Sequence, residues 1–210
     1  MSMKIDVLAV VGSKRREGNT ARLVAEVTKT LEGEGFNVKT INLDDYRIEG
    51  CRGCEACSDG SSCIIDDGMT DIYPMISEAD ALILGSPTYF YNVTSDMKAF
   101  IDRTYCLMHF HPDDRSVWTS ETEVRGTKHA VTVAVCEQQD IADMGFTSRT
   151  MELTLQALGY SVVENVRGLH MFGPDEASEY PEILDTSRKA GIRLARMLTT
   201  IRELRSGIDG

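Results

Sequence analysis

The chain has 210 residues, 42% of them hydrophobic and 26% charged, enough to bury a substantial core in one large domain. Its 22 basic residues are outnumbered by 33 acidic ones, and the net charge of −11 is spread over both halves, which argues against a nucleic-acid binder. No run approaches the roughly 20 apolar residues of a membrane-spanning helix, and no export signal opens the chain, so its cysteines are expected in a reducing cytoplasm.

Lys4–Val11 is a nearly unbroken apolar run, the pattern of a parallel strand covered on both faces. It stops at Gly12, and a loop containing Ser13, Arg15, Glu17 and Gly18 leads into a helix with the apolar stripe Ala21, Leu23, Val24, Val27 and Leu31. Asn19 or Thr20 is the expected cap, and Gly33 or Gly35 the stop. Strand, glycine-bearing loop and helix together present backbone N–H groups and a positive dipole end to a phosphate. The hydroxyls of Ser13 and Thr20 and the amide of Asn19 add donors. The loop has neither the Walker pattern nor G-x-G-x-x-G, so a terminal monophosphate suits it better than a pyrophosphate. The plainer alternative is a strand-to-helix turn with capping residues.

Gly35–Leu43 alternates at Phe36, Val38 and Ile41 as a second strand. The cysteine-rich loop 50–64 follows, with Cys51, Cys54, Cys57 and Cys63 at C-x2-C-x2-C-x5-C. Such compact spacing lets one short loop point several thiolates at an iron–sulfur cluster. Structural zinc more often uses two knuckles with a longer spacer, and free or redox-active thiols are a third reading. Gly53 and Gly60 are expected to supply positive φ angles for the wrap. Ile72, Met75, Ile76 and Ala79 then mark a helix whose start Pro74 sets near Thr70.

Asp80–Pro87 is the third strand, and the turn Ser86–Thr94 sets Tyr89, Phe90 and Tyr91 at its carboxyl end. Open parallel sheets bind ligands there, and aromatics suit a flat ring; the alternative is a hydrophobic cluster that holds the next helix. That helix starts near Ser95, with Met97, Phe100, Ile101 and Tyr105 on one face and Lys98, Asp102 and Arg103 off it. Residues 106–127 show no periodicity, and an insert this long is expected to be a lid or an interface element. Its His109 and His111 read as exposed or packed rather than as metal ligands. Lys128–Cys136 is the fourth strand, Gly145–Leu158 a helix, Ser161–Val166 the fifth strand and Pro181–Arg205 the last helix. Cys106 and Cys136 read as buried thiols.

Strands alternating with helices over residues 1–210 predict a single α/β domain: a doubly wound five-stranded parallel sheet, order 2-1-3-4-5, in three α/β/α layers. Strands one and three are then neighbours, so the phosphate loop and the aromatic turn face one crevice. A phosphate grip beside a ring site describes a flavin monophosphate, FMN. The cysteine loop is expected at the same sheet edge.

Gly12-Ser13, Arg15 and Gly18-Asn19-Thr20, the four cysteines with Asp66-Asp67, and Gly85–Phe90 with Lys98–Arg103 resemble the NADPH-dependent FMN reductase group, and within it the iron–sulfur flavoproteins. The resemblance runs from Met3 to about Arg103 and more weakly beyond. It implies a flavodoxin-like fold, bound FMN, a 4Fe-4S cluster, and a homodimer or homotetramer in which a cluster of one subunit lies near a flavin across an interface. By position it assigns Ser13, Arg15, Asn19 and Thr20 to the phosphate and Pro87, Thr88, Tyr89 and Phe90 to the isoalloxazine. Cys136 and Glu137 match a third cofactor loop loosely, and Cys51, Cys54, Cys57 and Cys63 match the cluster ligands.

The activity so implied passes electrons between a reduced donor, FMN and the cluster. NADPH or NADH is the candidate substrate, and a small molecule or a protein such as a ferredoxin the partner. Lys14, Arg15 and Arg16 offer such a partner a basic patch. The alternatives are an NAD(P)H-dependent FMN or quinone reductase without a cluster, and a zinc-stabilised non-enzymatic domain. Three departures stand out: Lys14 occupies a position where many relatives have proline, Glu17 brings a negative charge to the phosphate loop, and the insert 106–127 lies outside the pattern.

Overall fold

The computed structural model describes residues 6–58, 62–120, 122, 126 and 128–208. Five strands, β1 (Val7–Val11), β2 (Val38–Asn42), β3 (Ala81–Pro87), β6 (Lys128–Val135) and β7 (Tyr160–Gly168), form one parallel sheet in the order β2-β1-β3-β6-β7. Strands β4 (Met108–Phe110) and β5 (Trp118–Ser120) make a separate antiparallel hairpin. With the hairpin set aside, the sheet has the flavodoxin order 2-1-3-4-5, with its switch point between β1 and β3.

Alternation along β1 divides the core. Val7, Ala9 and Val11 turn to one face, where α1 (Asn19–Gly33) and α5 (Pro181–Ile208) cover them through Leu23, Val27, Leu194 and Leu198. Leu8 and Val10 turn to the other, against Met69 and Ile72 of α2 (Gly68–Glu78), Met97 and Phe100 of α3 (Ser95–Arg103) and Met151 of α4 (Thr147–Ala157). Helix α1 crosses β3 so closely that a Cβ on Gly85 would lie 2.6 Å from Val24.

The structure moves several boundaries. Gly18, not Asn19 or Thr20, is the N-cap of α1, and it contributes no side-chain bond. Helix α2 begins at Gly68 rather than near Thr70, because the Asp67 carboxylate accepts from Met69 N and caps it; Pro74 is carried inside the helix. Tyr105 lies beyond α3 in a 3-10 turn, Thr104–Leu107, and the insert contains the β4–β5 hairpin that its composition does not advertise. Helix α4 starts at Thr147 after a separate turn, Ile141–Met144. Lys4 and Gly60 lie outside the described residues. Among the described residues no helix is long and apolar enough to cross a membrane.

Candidate functional site

The carboxyl ends of β1, β3 and β6 and the loop after β7 open on one crevice. Ser13, Arg15, Gly18, Asn19, Thr20, Pro87, Thr88, Tyr89 and Glu137 line it, with Met171 and Phe172. The floor of the first loop is fixed from three sides. Thr94 Oγ1 donates to Gly12 O at 2.8 Å and accepts from Met97 N at 3.2 Å, Gly12 N donates to Gly85 O at 2.7 Å, and Asn42 Nδ2 donates to Ser13 O at 2.9 Å. One threonine thus caps α3 and holds the turn after β1.

Helix α1 enters this crevice uncapped. No side chain of Gly18 and no acidic residue in the first turn serves its leading N–H groups, while Arg22 N already closes onto Gly18 O at 2.9 Å. Free amides with a positive dipole end form an anion seat. Of the three cations in the loop, Lys14 lies 3.5 Å from Asp44 and 3.4 Å from Asp96, and Arg16 is bidentate to Asp45 at 2.8 and 2.5 Å. The basic patch read from the sequence is therefore neutralised at two of its three positions. Arg15 is the one of the three that lines the crevice.

Asn19 has a different place from the one its type suggests. Its Nδ2 donates to Gly173 O at 2.7 Å and to Met171 O at 3.4 Å, and its Oδ1 accepts from Ala177 N at 2.9 Å. The amide is consumed in holding the loop after β7, which brings Met171 and Phe172 to the crevice wall. Those two residues escape sequence reasoning, since the turn after β7 has no phosphate or ring signature. Cys136 is also elsewhere: it is buried in the core beneath α4, while its neighbour Glu137 reaches the crevice.

On the β3 side, Thr88 N donates to Val135 O at 2.7 Å, whereas the buried Thr88 Oγ1 has no hydrogen-bond partner among the described residues. A buried hydroxyl without a partner costs free energy. Tyr89 and Asn92 exchange backbone bonds at 2.8 and 3.1 Å, which throws Phe90 and Tyr91 onto the tip of a tight turn with φ of 46° and 64°. Two consecutive aromatics in the left-handed region are strained. Phe90 stands 98% exposed, outside the crevice lining. Tyr91 O accepts from Phe146 N at 2.7 Å, so the tip leans on the start of α4.

The cysteine loop is anchored elsewhere. Arg103, 1% exposed at the last position of α3, donates to Asp67 Oδ2 at 2.6 Å, Glu49 O at 3.0 Å and Ile65 O at 3.1 Å. One guanidinium thus ties together the two strands of chain that enter and leave the cysteines. Burial alone would lift the Asp67 carboxyl, but the Arg103 bond and the N–H groups of Glu49 and Met69 hold it below the usual carboxylate range. Cys51 and Cys54 are exposed, Cys57 and Cys63 half-buried. Burial, followed by the neighbouring Cys106 and Cys63, pushes the Cys57 thiol up. Among the described residues no three Cys, His, Asp or Glu side chains are gathered as a metal site. Glu55, at φ 57°, accepts from Arg115 of the hairpin at 3.1 Å.

The expected common rim is therefore only partly present. Thr94, at the first end of α3, holds Gly12 beneath the crevice, and Arg103, at the other end, holds the cysteine loop. Nine helical residues separate these points by roughly 13 Å. Glu49, Ile65 and Asp67, which flank the cysteines, meet Arg103 at the end of α3 remote from Thr94, and no residue of the loop lines the crevice among the described residues.

The sequence profile of the family described as NADPH-dependent FMN reductase matches residues 5–139. An iron-sulfur flavoprotein of Archaeoglobus fulgidus is 38% identical over 96 residues, 46% of this chain and 44% of that protein. One from Methanocaldococcus jannaschii is 39% identical over 98 residues, 47% of this chain and 51% of its own length. This chain spans about half the length of the curated relatives it matches. Among solved structures, an NAD(P)H:quinone oxidoreductase from Methanothermobacter marburgensis superposes with a TM-score of 0.67 at 16% identity, covering 90% of this chain and 98% of that one. The last likeness is one of fold.

Proposed function

The chain belongs to the NADPH-dependent FMN reductase family, and from that premise we propose that it is an FMN-dependent oxidoreductase of the iron–sulfur flavoprotein type. The observation that carries this reading is the crevice itself, whose lining includes both an uncapped helix end and a residue with an unpartnered buried hydroxyl, at a sheet switch point. Both are unmet hydrogen-bonding needs, and a phosphate joined to a polar ring meets both.

In this reading Arg15, Ser13, Thr20 and the leading amides of α1 hold the phosphate, and Asn19 shapes the wall beside it. Pro87, Thr88, Tyr89 and Glu137 line the ring. Bound FMN supplies the chemistry, exchanging a hydride with a donor such as NADPH and single electrons with a one-electron carrier. The chain contributes placement: Thr88 fixes one polar edge, the Tyr89–Asn92 turn closes one side, and Met171 with Phe172 excludes water from the other.

Cys51, Cys54, Cys57 and Cys63 are the thiol set for an iron–sulfur cluster, which adds one-electron transfer. The donor chemistry fits, since four thiols share a loop clamped at its base. Holding a cluster requires Cys51 and Cys54 to turn in from solvent. The separation along α3 favours a homodimer or homotetramer in which the loop of one subunit serves the crevice of another. The second reading, a flavin or quinone reductase without a cluster, is favoured by the ungathered thiols.

Purification without oxygen, followed by a visible spectrum and iron, sulfide and zinc analysis, tests both. The proposal expects a flavin band with about four irons per chain. Flavin without iron selects the second reading, and a colourless protein overturns both.

A further inference from the structure

The hairpin carries a feature that the flavin crevice does not use. Cross-strand pairing of Met108 with Ser120 and of Phe110 with Trp118 puts these four residues on one face, and Met108 and Ser120 are buried. Between this face, the end of α3 and the flank of α4 lies a cavity of about 390 Å³, walled by Tyr105, Met108, Phe110, Arg115, Trp118 and Leu158. Its volume falls within the roughly 300–1,000 Å³ of small-molecule pockets, near the lower end.

Its chemistry selects an occupant. The Tyr105 and Phe110 rings stand 5.2 Å apart at 33°, a tilted aromatic wall, and Trp118 is left 45% exposed at the opening. The Arg115 guanidinium lies 5.5 Å from the Phe110 centroid and donates to the Tyr105 hydroxyl at 3.0 Å. Its carboxylate partner, Glu55, is largely exposed, and an exposed pair of this kind is weak enough to exchange for an incoming anion. The acidic residue on the rim, Asp102, is already neutralised by Lys98 at 2.6 Å. A flat apolar slot with a cation at its mouth matches an aromatic anion in shape and charge.

We propose that this cavity binds a planar, two-ring aromatic molecule that carries an anionic group, with the rings against Tyr105, Phe110 and Trp118 and the anion on Arg115. Because Arg115 also holds Glu55, between Cys54 and Cys57, occupancy exchanges a tether of the cysteine loop for a ligand.

Trp118 is the single tryptophan of the chain, so its emission reports on this cavity alone. The protein as purified, with whatever flavin it retains, is titrated with chromone-2-carboxylate, a planar two-ring anion that does not arylate the exposed thiols, and calorimetry counts the sites. The expected result is saturable Trp118 quenching with one site per chain. Arg115→Gln, at a half-exposed position, should weaken binding of the carboxylate about tenfold, the loss of roughly 1.4 kcal/mol, while uncharged chromone binds both proteins alike. Ala157→Phe, which fills the opening from α4, should abolish quenching and leave the visible flavin absorbance unchanged. Absent or unsaturable quenching overturns the proposal, as does binding indifferent to both substitutions. Quenching that appears only when the protein is diluted into monomers shows a second copy covering the cavity, and also overturns it.

Discussion

Thr88, just past β3, keeps a buried hydroxyl without a partner among the described residues, at the lining of the crevice. Thr88→Val removes an unmet polar group worth about 1–3 kcal/mol, so the flavin-free protein should melt at a higher temperature while the variant retains less FMN on purification. A fall in both quantities shows that the hydroxyl has a structural partner instead. Arg103 and Asp67 form the second decisive pair. Arg103→Met strands a buried carboxylate and should cost about 3–5 kcal/mol, read by urea unfolding, with Arg103→Met/Asp67→Asn recovering part of the loss. Asp67 has a depressed native pKa. Its contribution is therefore present above the unfolded value of about 4 and is lost as pH falls through the native one. Melting temperature should drop in that acid window for the parent chain and stay flatter for Asp67→Asn. Arg103 was legible as a motif residue but not as a buried one: an arginine off the apolar face of a helix reads as solvated, and its partners sit at positions 49, 65 and 67, which only the fold brings near.

Helix α3 is the element on which the site depends. Its cap, Thr94, also holds Gly12, so Thr94→Ala should cost about 1 kcal/mol of stability and loosen FMN further than that figure implies, while Thr94→Ser preserves both. Melting curves and flavin retention measured together check this. Gly145 plays the same part for the aromatic turn: at φ 56° its missing Cβ would lie 2.4 Å from Tyr91 O. Gly145→Ala should therefore cost at least ~1–2 kcal/mol and displace Phe90 and Tyr91, seen as altered tyrosine fluorescence. Strands and helices of the sheet were readable from the chain because buried parallel strands are continuous apolar runs and their covering helices keep a stripe. The hairpin was not, because strands of three residues are too short to show a period of two. The wall formed by Met171 and Phe172 was hidden for a related reason: the Asn19 amide that places it reads as a phosphate donor, and only the return of the chain after β7 reassigns it.

At the scale of the whole molecule, the alternation of strands and helices pointed to the order 2-1-3-4-5 that the sheet has. The position of the cysteine loop was not legible in that alternation, since loop direction depends on Arg103 rather than on strand order. If the loop of one subunit serves the crevice of its neighbour, sedimentation velocity should show two or four chains per particle. NADPH-driven reduction of the iron should then slow on dilution below the assembly threshold; a monomer that reduces its iron at an undiminished rate removes the need for a neighbour. The clamp at Arg103 has one more consequence. Because the thiol-bearing segment is moored to the far end of a helix and not threaded through the sheet, the fold does not call on those thiols, and a cluster held there, as proposed, would come and go without unravelling the domain. Assembly of such a cluster would then be uncoupled from the life of the polypeptide.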